Sequence, residues 1–126
     1  MKTILIVEDE KVLREMYSQK FAENGFATLL AKDENEVFDI LKKETPDIIL
    51  LDILLPQGDG IDILKTLKAN EQTKNIKVLV FSNLDDPHIK KQAQTFGAEK
   101  YLIKTNFTPK ELLGEVQKII KPTIVG

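Results

Sequence analysis

One short stretch, Ile48-Ile49-Leu50-Leu51-Asp52-Ile53-Leu54-Leu55, is aliphatic except for a single aspartate. An ionised carboxylate is costly to bury unless nearby groups compensate its charge. The aliphatic run is short and is followed by Pro56, Gly58 and Gly60, which predicts a buried parallel strand that ends in a turn. Asp52 then lies near the carboxyl end of that strand, where ligands bind in open parallel α/β sheets. Taken alone, Asp52 is equally compatible with a residue that leaves the core and caps a turn.

Short apolar runs alternate with amphipathic segments along the chain, which is typical of repeated βα units around a parallel sheet. The five predicted strands cover residues 3–7, 27–31, 47–52, 77–82 and 100–104. The second strand has the least β-branched content and is expected at an edge. The pattern predicts one domain over residues 1–121 and a short C-terminal tail at 122–126.

Two features of the helices can be predicted from residue spacing. Asp33 followed by Glu36 predicts a capping box at the start of the second helix. The first helix is expected to bury one apolar face, and the residues predicted for that face are Val12, Leu13, Met16, Tyr17 and Phe21.

Composition narrows the class of protein. The chain has 126 residues, a net charge of -2, a single arginine and no cysteine. The net charge and the scarcity of arginine argue against direct binding of nucleic acid, and the lack of cysteine fits the cytoplasm. The apolar runs are far shorter than the ~20 residues of a membrane-spanning helix. We therefore expect a cytoplasmic protein that contacts neither nucleic acid nor membrane.

Polar side chains at the ends of four predicted strands are candidates for one site. Glu8 and Asp9 follow the first strand, Asp52 ends the third, Ser82 ends the fourth and Lys104 ends the fifth. Right-handed crossovers bring these strand ends to one rim of the sheet. Carboxylates that crowd together there raise one another's pKa unless a cation lies among them.

The residue types at this rim suit a divalent metal ion together with a phosphoryl group. Mg²⁺ prefers oxygen ligands such as two carboxylates and a backbone carbonyl. The hydroxyl of Ser82 and the ammonium of Lys104 can hold phosphoryl oxygens. Asp52 is the most central of the acids, and a carboxylate that attacks phosphorus gives an aspartyl-phosphate. We therefore identify Asp52 as the candidate nucleophile.

Several local motifs occur in a fixed order along the chain. They are Val7-Glu8-Asp9-Glu10, Leu51-Asp52 with Pro56, Gly58-Asp59-Gly60, Phe81-Ser82, and Gly97-Ala98 followed by Tyr101-Leu102-Ile103-Lys104. Together they resemble the receiver domains of bacterial two-component response regulators, in particular the single-domain, chemotaxis-regulator-like kind. The resemblance implies a flavodoxin-like (βα)5 fold with strand order 2-1-3-4-5. It also implies Mg²⁺-dependent transfer of a phosphoryl group from a histidine kinase or a histidine phosphotransfer protein.

The resemblance also implies roles for individual residues around the metal ion. Asp52 is the expected phospho-acceptor and a metal ligand, and Asp9 is expected to bind Mg²⁺ directly. Glu8 is expected to bind the ion through water. The backbone carbonyl of Leu54 is expected to be a further ligand.

On the phosphoryl side, the resemblance implies a hydrogen bond from Ser82 and an ion pair from Lys104. Tyr101 is the implied aromatic switch, although its position fits a strand residue that packs on a helix nearly as well. Asn83 follows Ser82 where the family usually has Ala or Gly, and it is expected to narrow access to the phosphoryl site. Thr105 replaces the usual proline after Lys104, so the resemblance leaves the isomer of that peptide bond open.

Two apolar residues, Leu54 and Leu84, occupy positions that modulate phosphoryl hydrolysis in the family, which predicts slow autodephosphorylation. Such a domain catalyses its own phosphorylation and dephosphorylation but has no independent substrate. The expected output is a partner protein bound through a face around residues 87–121, by a monomer or a weak phosphorylation-dependent dimer.

Three other classes of protein are alternatives to this prediction. A flavodoxin-type cofactor binder needs Gly, Ser or Thr in the first turn, where this chain has Glu8-Asp9-Glu10. A metal-dependent phosphatase with an aspartyl nucleophile usually has a second acid at position 54. A receiver-like interaction module that is not phosphorylated stays open as the alternative, because Asn83 and Thr105 depart from the family pattern.

Overall fold

The architecture is a five-stranded parallel sheet with helices on both faces. This computed structural model describes residues 1–56 and 58–120, so the predicted tail at 122–126 lies outside the described residues. The strands of the sheet are β1 Lys2–Val7, β2 Phe26–Ala31, β3 Ile48–Leu51, β4 Lys77–Ser82 and β5 Lys100–Ile103. The helices are α1 Lys11–Ala22, α2 Glu34–Leu41, α3 Gly60–Ala69, α4 Pro87–Thr95 and α5 Pro109–Ile119.

Two short elements complete the chain path near the rim. A hairpin of two-residue strands, Leu54–Leu55 paired with Gly58–Asp59, connects β3 to α3. A 3-10 turn, Lys104–Asn106, connects β5 to α5. Within the described ranges, no helix is long and apolar enough to cross a membrane.

The order of the strands is β2-β1-β3-β4-β5, and all neighbours are parallel. This order confirms the predicted topology and the edge position of β2. The register pairs Val7 with both Ala31 and Leu51, and Leu51 with Val80. The carboxyl ends of the strands therefore lie along one edge, called the rim below, as the crossover rule predicts.

Successive residues of the central strands face two separate cores. Leu5 and Val7 belong to the core under α2, α3 and α4. Ile4 and Ile6 belong to the core under α1 and α5. Because residues 4–7 of β1 and the whole of β3 are buried on both faces, they form unbroken aliphatic runs rather than alternating ones.

The predicted apolar face of α1 is wrong at two of its five residues. Tyr17 and Phe21 are buried and Leu13 packs partly against the core, but Val12 is 78% exposed and Met16 is 39% exposed. Residues four apart share a helix face, so 13, 17 and 21 form one stripe and 12 and 16 a second, about 100° away. Only the first stripe faces the sheet.

The cap of α2 differs in one hydrogen bond from the predicted capping box. The side chain of Asp33 accepts from the backbone N–H of Glu36 at 2.9 Å, as predicted. The Glu36 carboxylate, however, accepts from the backbone N–H of Lys32 at 2.8 Å, one residue before the cap. This bond fixes the backbone of Lys32 at the end of β2.

Candidate functional site

The structure brings the predicted polar residues together at the rim. Glu8 and Asp52 are buried just beyond β1 and β3. Their backbone N–H groups continue the ladder of the sheet, from Glu8 to the carbonyl of Ala31 at 3.0 Å and from Asp52 to the carbonyl of Val7 at 3.1 Å. The two acids are therefore held by the sheet itself rather than by a free loop.

Glu8, Asp9 and Asp52 form an acidic cluster. Each offers one carboxylate oxygen, and these oxygens lie within 4.8 Å of one another. At an effective dielectric constant of about 20, two unit charges 4.8 Å apart repel by about 3.5 kcal/mol. The acidic cluster therefore needs cations, and oxygen donors of this kind suit a hard divalent ion such as Mg²⁺.

Lys104 supplies one of these cations. Its ammonium donates to Glu8 Oε1 and, at 2.7 Å, to Asp52 Oδ2, and its side chain is only 10% exposed. Burial by itself lowers the pKa of Lys104, but the hydrogen bonds and charges of the two acids outweigh burial and raise it. The pKa of Glu8 is raised because burial outweighs the attraction of Lys104.

Backbone and side-chain donors fix the orientation of the acids. The N–H of Leu54 donates to Asp52 Oδ1 at 2.9 Å, and the N–H of Glu10 donates to Glu8 Oε2 at 3.2 Å. Arg14 donates from Nη1 to the backbone carbonyls of Glu8 at 2.8 Å and of Asp9 at 3.1 Å. Arg14 was missed as a site residue from the sequence, because its contacts are to backbone atoms.

Gly60 fixes the turn that follows Asp52. Its N–H donates to the carbonyl of Ile53 at 3.1 Å. A Cβ atom at position 60 would lie 2.3 Å from the Cα of Ile53, closer than any side chain permits. A glycine is therefore required where α3 begins against the turn.

Ser82 and Tyr101 are connected through the backbone of Leu84. The N–H of Leu84 donates to Ser82 Oγ at 3.3 Å, and the hydroxyl of Tyr101 donates to the carbonyl of Leu84 at 2.6 Å. Burial, with the nearby carboxylates of Asp52 and two other aspartates, raises the pKa of Tyr101 to about 12. The hydroxyl is therefore a neutral donor that ties β5 to the loop after β4.

Other predicted residues lie at the margin of the site. Asn83 is exposed on the loop after β4, and the Leu54 side chain is 50% exposed on the hairpin. No cis peptide bond occurs within residues 1–56 and 58–120, so the bond between Lys104 and Thr105 is trans.

A cavity of about 290 Å³ adjoins the acidic cluster and was not predicted. Its lining residues are Asp9, Lys32, Asp33 and Pro56. The end of β2 contributes Lys32 and Asp33 to the rim, just as the other strand ends contribute theirs. The rim position of Lys32 and Asp33 could have been predicted from the sequence, because the crossover rule applies to all five strands.

Comparison with known proteins points to one family. The family model described as response regulator receiver domain matches residues 4–117. The phosphate regulon transcriptional regulatory protein PhoB of Escherichia coli (strain K12) is 34% identical over 120 residues, which are 95% of this chain and 52% of PhoB. The response regulator MprA of Mycolicibacterium vanbaalenii is 28% identical over 120 residues, 95% of this chain and 51% of MprA. The chain thus spans about half the length of these curated relatives.

Solved structures show the same fold. The chemotaxis response regulator CheY4 of Vibrio cholerae superposes with a TM-score of 0.87 at 27% identity, covering 94% of this chain and 98% of CheY4. The receiver domain of the Francisella response regulator 1452 gives a TM-score of 0.85 at 31% identity, covering 96% of this chain and 98% of that domain.

Proposed function

Because the chain belongs to the response regulator receiver domain family, we propose that it accepts a phosphoryl group on Asp52 from a phosphohistidine in two-component signalling. The observation that carries the proposal is the acidic cluster at the rim, with the Lys104 ammonium bound to two of its three members. In the proposed reaction an oxygen of Asp52 bonds to phosphorus while the bond from phosphorus to an imidazole nitrogen breaks. The nitrogen keeps the electron pair.

Mg²⁺ is the proposed metal, and the donor set fits it. Asp9 and Asp52 would bind the ion directly, together with the backbone carbonyl of Leu54, while Glu8 would act through water. When bound, the ion would offset the charge on the transferring group. The hydrogen bonds from the backbone of Leu54 and Glu10 hold the carboxylates of Asp52 and Glu8 in place.

Lys104 and Ser82 are the proposed partners of the new phosphoryl group. Lys104 already lies 2.7 Å from Asp52 Oδ2, so a small shift would bring its ammonium to a phosphoryl oxygen. Ser82 Oγ accepts a bond from Leu84, and this leaves its own proton free to donate. Asn83 is exposed beside Ser82 and would narrow access to the same place.

The proposed signal passes through Leu84 to Tyr101. If Ser82 turns toward a phosphoryl oxygen, its contact with the N–H of Leu84 changes, and the carbonyl of Leu84 is the acceptor of the Tyr101 hydroxyl. We define the output face as residues 87–120, which comprise α4, β5 and α5. A downstream protein would bind the conformation of this face that phosphorylation makes more populated.

The decisive experiment compares the wild-type chain with Asp52→Asn. Both are treated with acetyl phosphate and Mg²⁺, and the mass of the intact protein is measured with and without a chelator. We expect one phosphoryl group on the wild-type chain only when Mg²⁺ is present, and none on Asp52→Asn. Equal labelling of the two proteins, or no labelling of the wild type, would contradict the proposal and favour the non-phosphorylated interaction module.

A second experiment tests the switch. Beryllofluoride with Mg²⁺ is added to the isotopically labelled chain, and amide shifts are followed by NMR. The proposal predicts shifts on the output face as well as at the rim. Shifts confined to the rim would contradict the coupling through Tyr101.

The proposed partners are a histidine kinase or phosphotransfer protein and one downstream protein, and the proposed location is the cytoplasm. Direct binding of nucleic acid is not part of the proposal, although PhoB is a transcriptional regulator and is about twice as long as the matched region. A monomer, or a dimer that forms weakly on phosphorylation, is the proposed state.

A further inference from the structure

We propose that Lys32 is a positioning residue that draws small anionic phosphoryl donors, such as acyl phosphates, into the cavity beside the acidic cluster. The inference rests on the proposed function, since it assigns a further residue to the capture of the phosphoryl donor at the same site. It starts from the 290 Å³ cavity that Asp9 and Lys32 line together with Asp33 and Pro56. Because Asp9 lines the cavity and also belongs to the acidic cluster, the cavity borders the cluster at that residue.

The backbone places Lys32 at the rim and holds it there. Ala31 pairs with Val7 and accepts the N–H of Glu8, so Lys32 is next to Glu8 on the neighbouring strand. The N–H of Lys32 is tied to Glu36 at 2.8 Å. This bond involves only the backbone of Lys32, so it survives any substitution of the side chain except proline.

Lys32 carries the positive charge among the residues that line this cavity. Across residues 1–56 and 58–120, its ammonium lies within 4.0 Å of no carboxylate, whereas Lys104 is engaged by two. The other charged lining residues are Asp9 and Asp33, which repel an anion. Asp33 is partly compensated because it caps α2.

A donor dianion that approaches the acidic cluster from the side of this cavity meets Asp9 and Asp33 first, and Lys32 offsets one of these charges. Charges that line a cleft change the association rate of a charged substrate through the local field, in a way that salt screens. The side chain touches none of the reacting atoms. Its effect should therefore appear in the capture of the donor rather than in the chemical step.

The test compares Lys32→Gln, Lys32→Arg and the wild-type chain at saturating Mg²⁺. The second-order rate constant for labelling by acetyl phosphate is measured at low and high salt. We expect Lys32→Gln to lower it by about threefold to tenfold at low salt and by less at high salt. Lys32→Arg should stay within about twofold of the wild type, since it keeps the charge. Lys43→Gln, which removes an exposed lysine beyond the far end of α2, should change nothing.

Two further readouts separate this role from a structural one. Phosphoramidate carries less negative charge than acetyl phosphate, so Lys32→Gln should slow it less. Mg²⁺ affinity, measured by NMR titration without a donor, should stay the same or become tighter in Lys32→Gln, because a neighbouring positive charge has been removed.

The outcomes distinguish the two proposals. If the wild-type chain is labelled and Lys32→Gln is labelled equally fast, the role of Lys32 is refuted while the proposed function stands. Weaker Mg²⁺ binding in Lys32→Gln would also refute it, because Lys32 would then act by organising the acidic cluster. If the wild-type chain is not labelled, both proposals fail.

Discussion

Replacement of Lys104 by methionine should destabilise the protein severely, and the loss should be recovered by a divalent ion. The ammonium of Lys104 is bonded to both Glu8 and Asp52, and all three side chains are nearly buried. Methionine keeps much of the apolar stem but removes the charge. Lys104→Met therefore isolates the electrostatic contribution of Lys104 to the acidic cluster.

The size of the effect follows from the geometry. Oxygens of the acidic cluster lie within 4.8 Å of one another, and each pair repels by about 3.5 kcal/mol at an effective dielectric constant of about 20. Removal of one partner from a buried ion pair generally costs about 3–5 kcal/mol. We expect the free energy of unfolding to fall by about 3–4 kcal/mol, which a domain with about 5–15 kcal/mol of stability survives.

The assay is urea unfolding followed by circular dichroism, with a chelator and again with Mg²⁺. The ion binds the folded state, and it should stabilise Lys104→Met more than the wild type because the lysine no longer competes with it. Lys100→Met is the matched control. Lys100 is 39% exposed and pairs with Glu115 at 2.6 Å, so its loss should cost no more than about 1 kcal/mol.

Two results would refute this reasoning. A loss in Lys104→Met no larger than that in Lys100→Met would show that the acidic cluster is solvated well enough to need no cation. Equal stabilisation of both Lys104→Met and the wild type by Mg²⁺ would show that lysine and metal do not compete.

Three further predictions follow from single contacts. Gly60→Ala should lower the free energy of unfolding in urea by about 1–3 kcal/mol, because its Cβ would meet the Cα of Ile53 at 2.3 Å. Gly114→Ala, where the Cβ would enter open space, should be neutral or stabilising. Equal losses in the two variants would contradict this. The pKa of Tyr101 is raised to about 12, so its hydroxyl should stay about 90% neutral at pH 11, measured as the difference in absorbance between the wild type and Tyr101→Phe. The free energy of unfolding should fall as pH rises from 10 toward 12, because the folded state then holds a proton that the unfolded state has lost. Half-ionisation of Tyr101 near pH 10 would be inconsistent with this. Leu54→Asn should speed loss of the aspartyl-phosphate, since a polar side chain can position water; an unchanged lifetime would argue against that role.

The strands and the acidic cluster could be predicted because strong local signals and one topological rule agree. Residues 4–7 of β1 and the whole of β3 are unbroken aliphatic runs, and the crossover rule sets the polar residues that follow them side by side. The 2.7 Å distance from Asp52 Oδ2 to the Lys104 ammonium follows from that arrangement. Residues far apart in sequence could thus be assigned to one site without coordinates.

The features that were missed depend on packing that a linear pattern does not contain. Val12 and Met16 have helical spacing, but which of two apolar stripes faces the sheet depends on the orientation of α1. Arg14 acts on backbone carbonyls, which carry no sequence signature. Lys32 follows β2, the strand with the least β-branched content, so its position at the rim has the weakest signal in the sequence.

The charges at the rim explain why the receiver site needs ligands to become balanced. Three carboxylates and the ammonium of Lys104 leave two net negative charges in a nearly buried place. In the proposed function one divalent ion cancels them, and phosphorylation then adds about -1.5 to -2 charges in the same space. The ammonium that is bonded to this cluster is that of Lys104, which follows β5 directly. Its movement from Glu8 toward the phosphoryl group would therefore act on the strand that carries Tyr101, so charge balance at the rim and the state of the output face would change together.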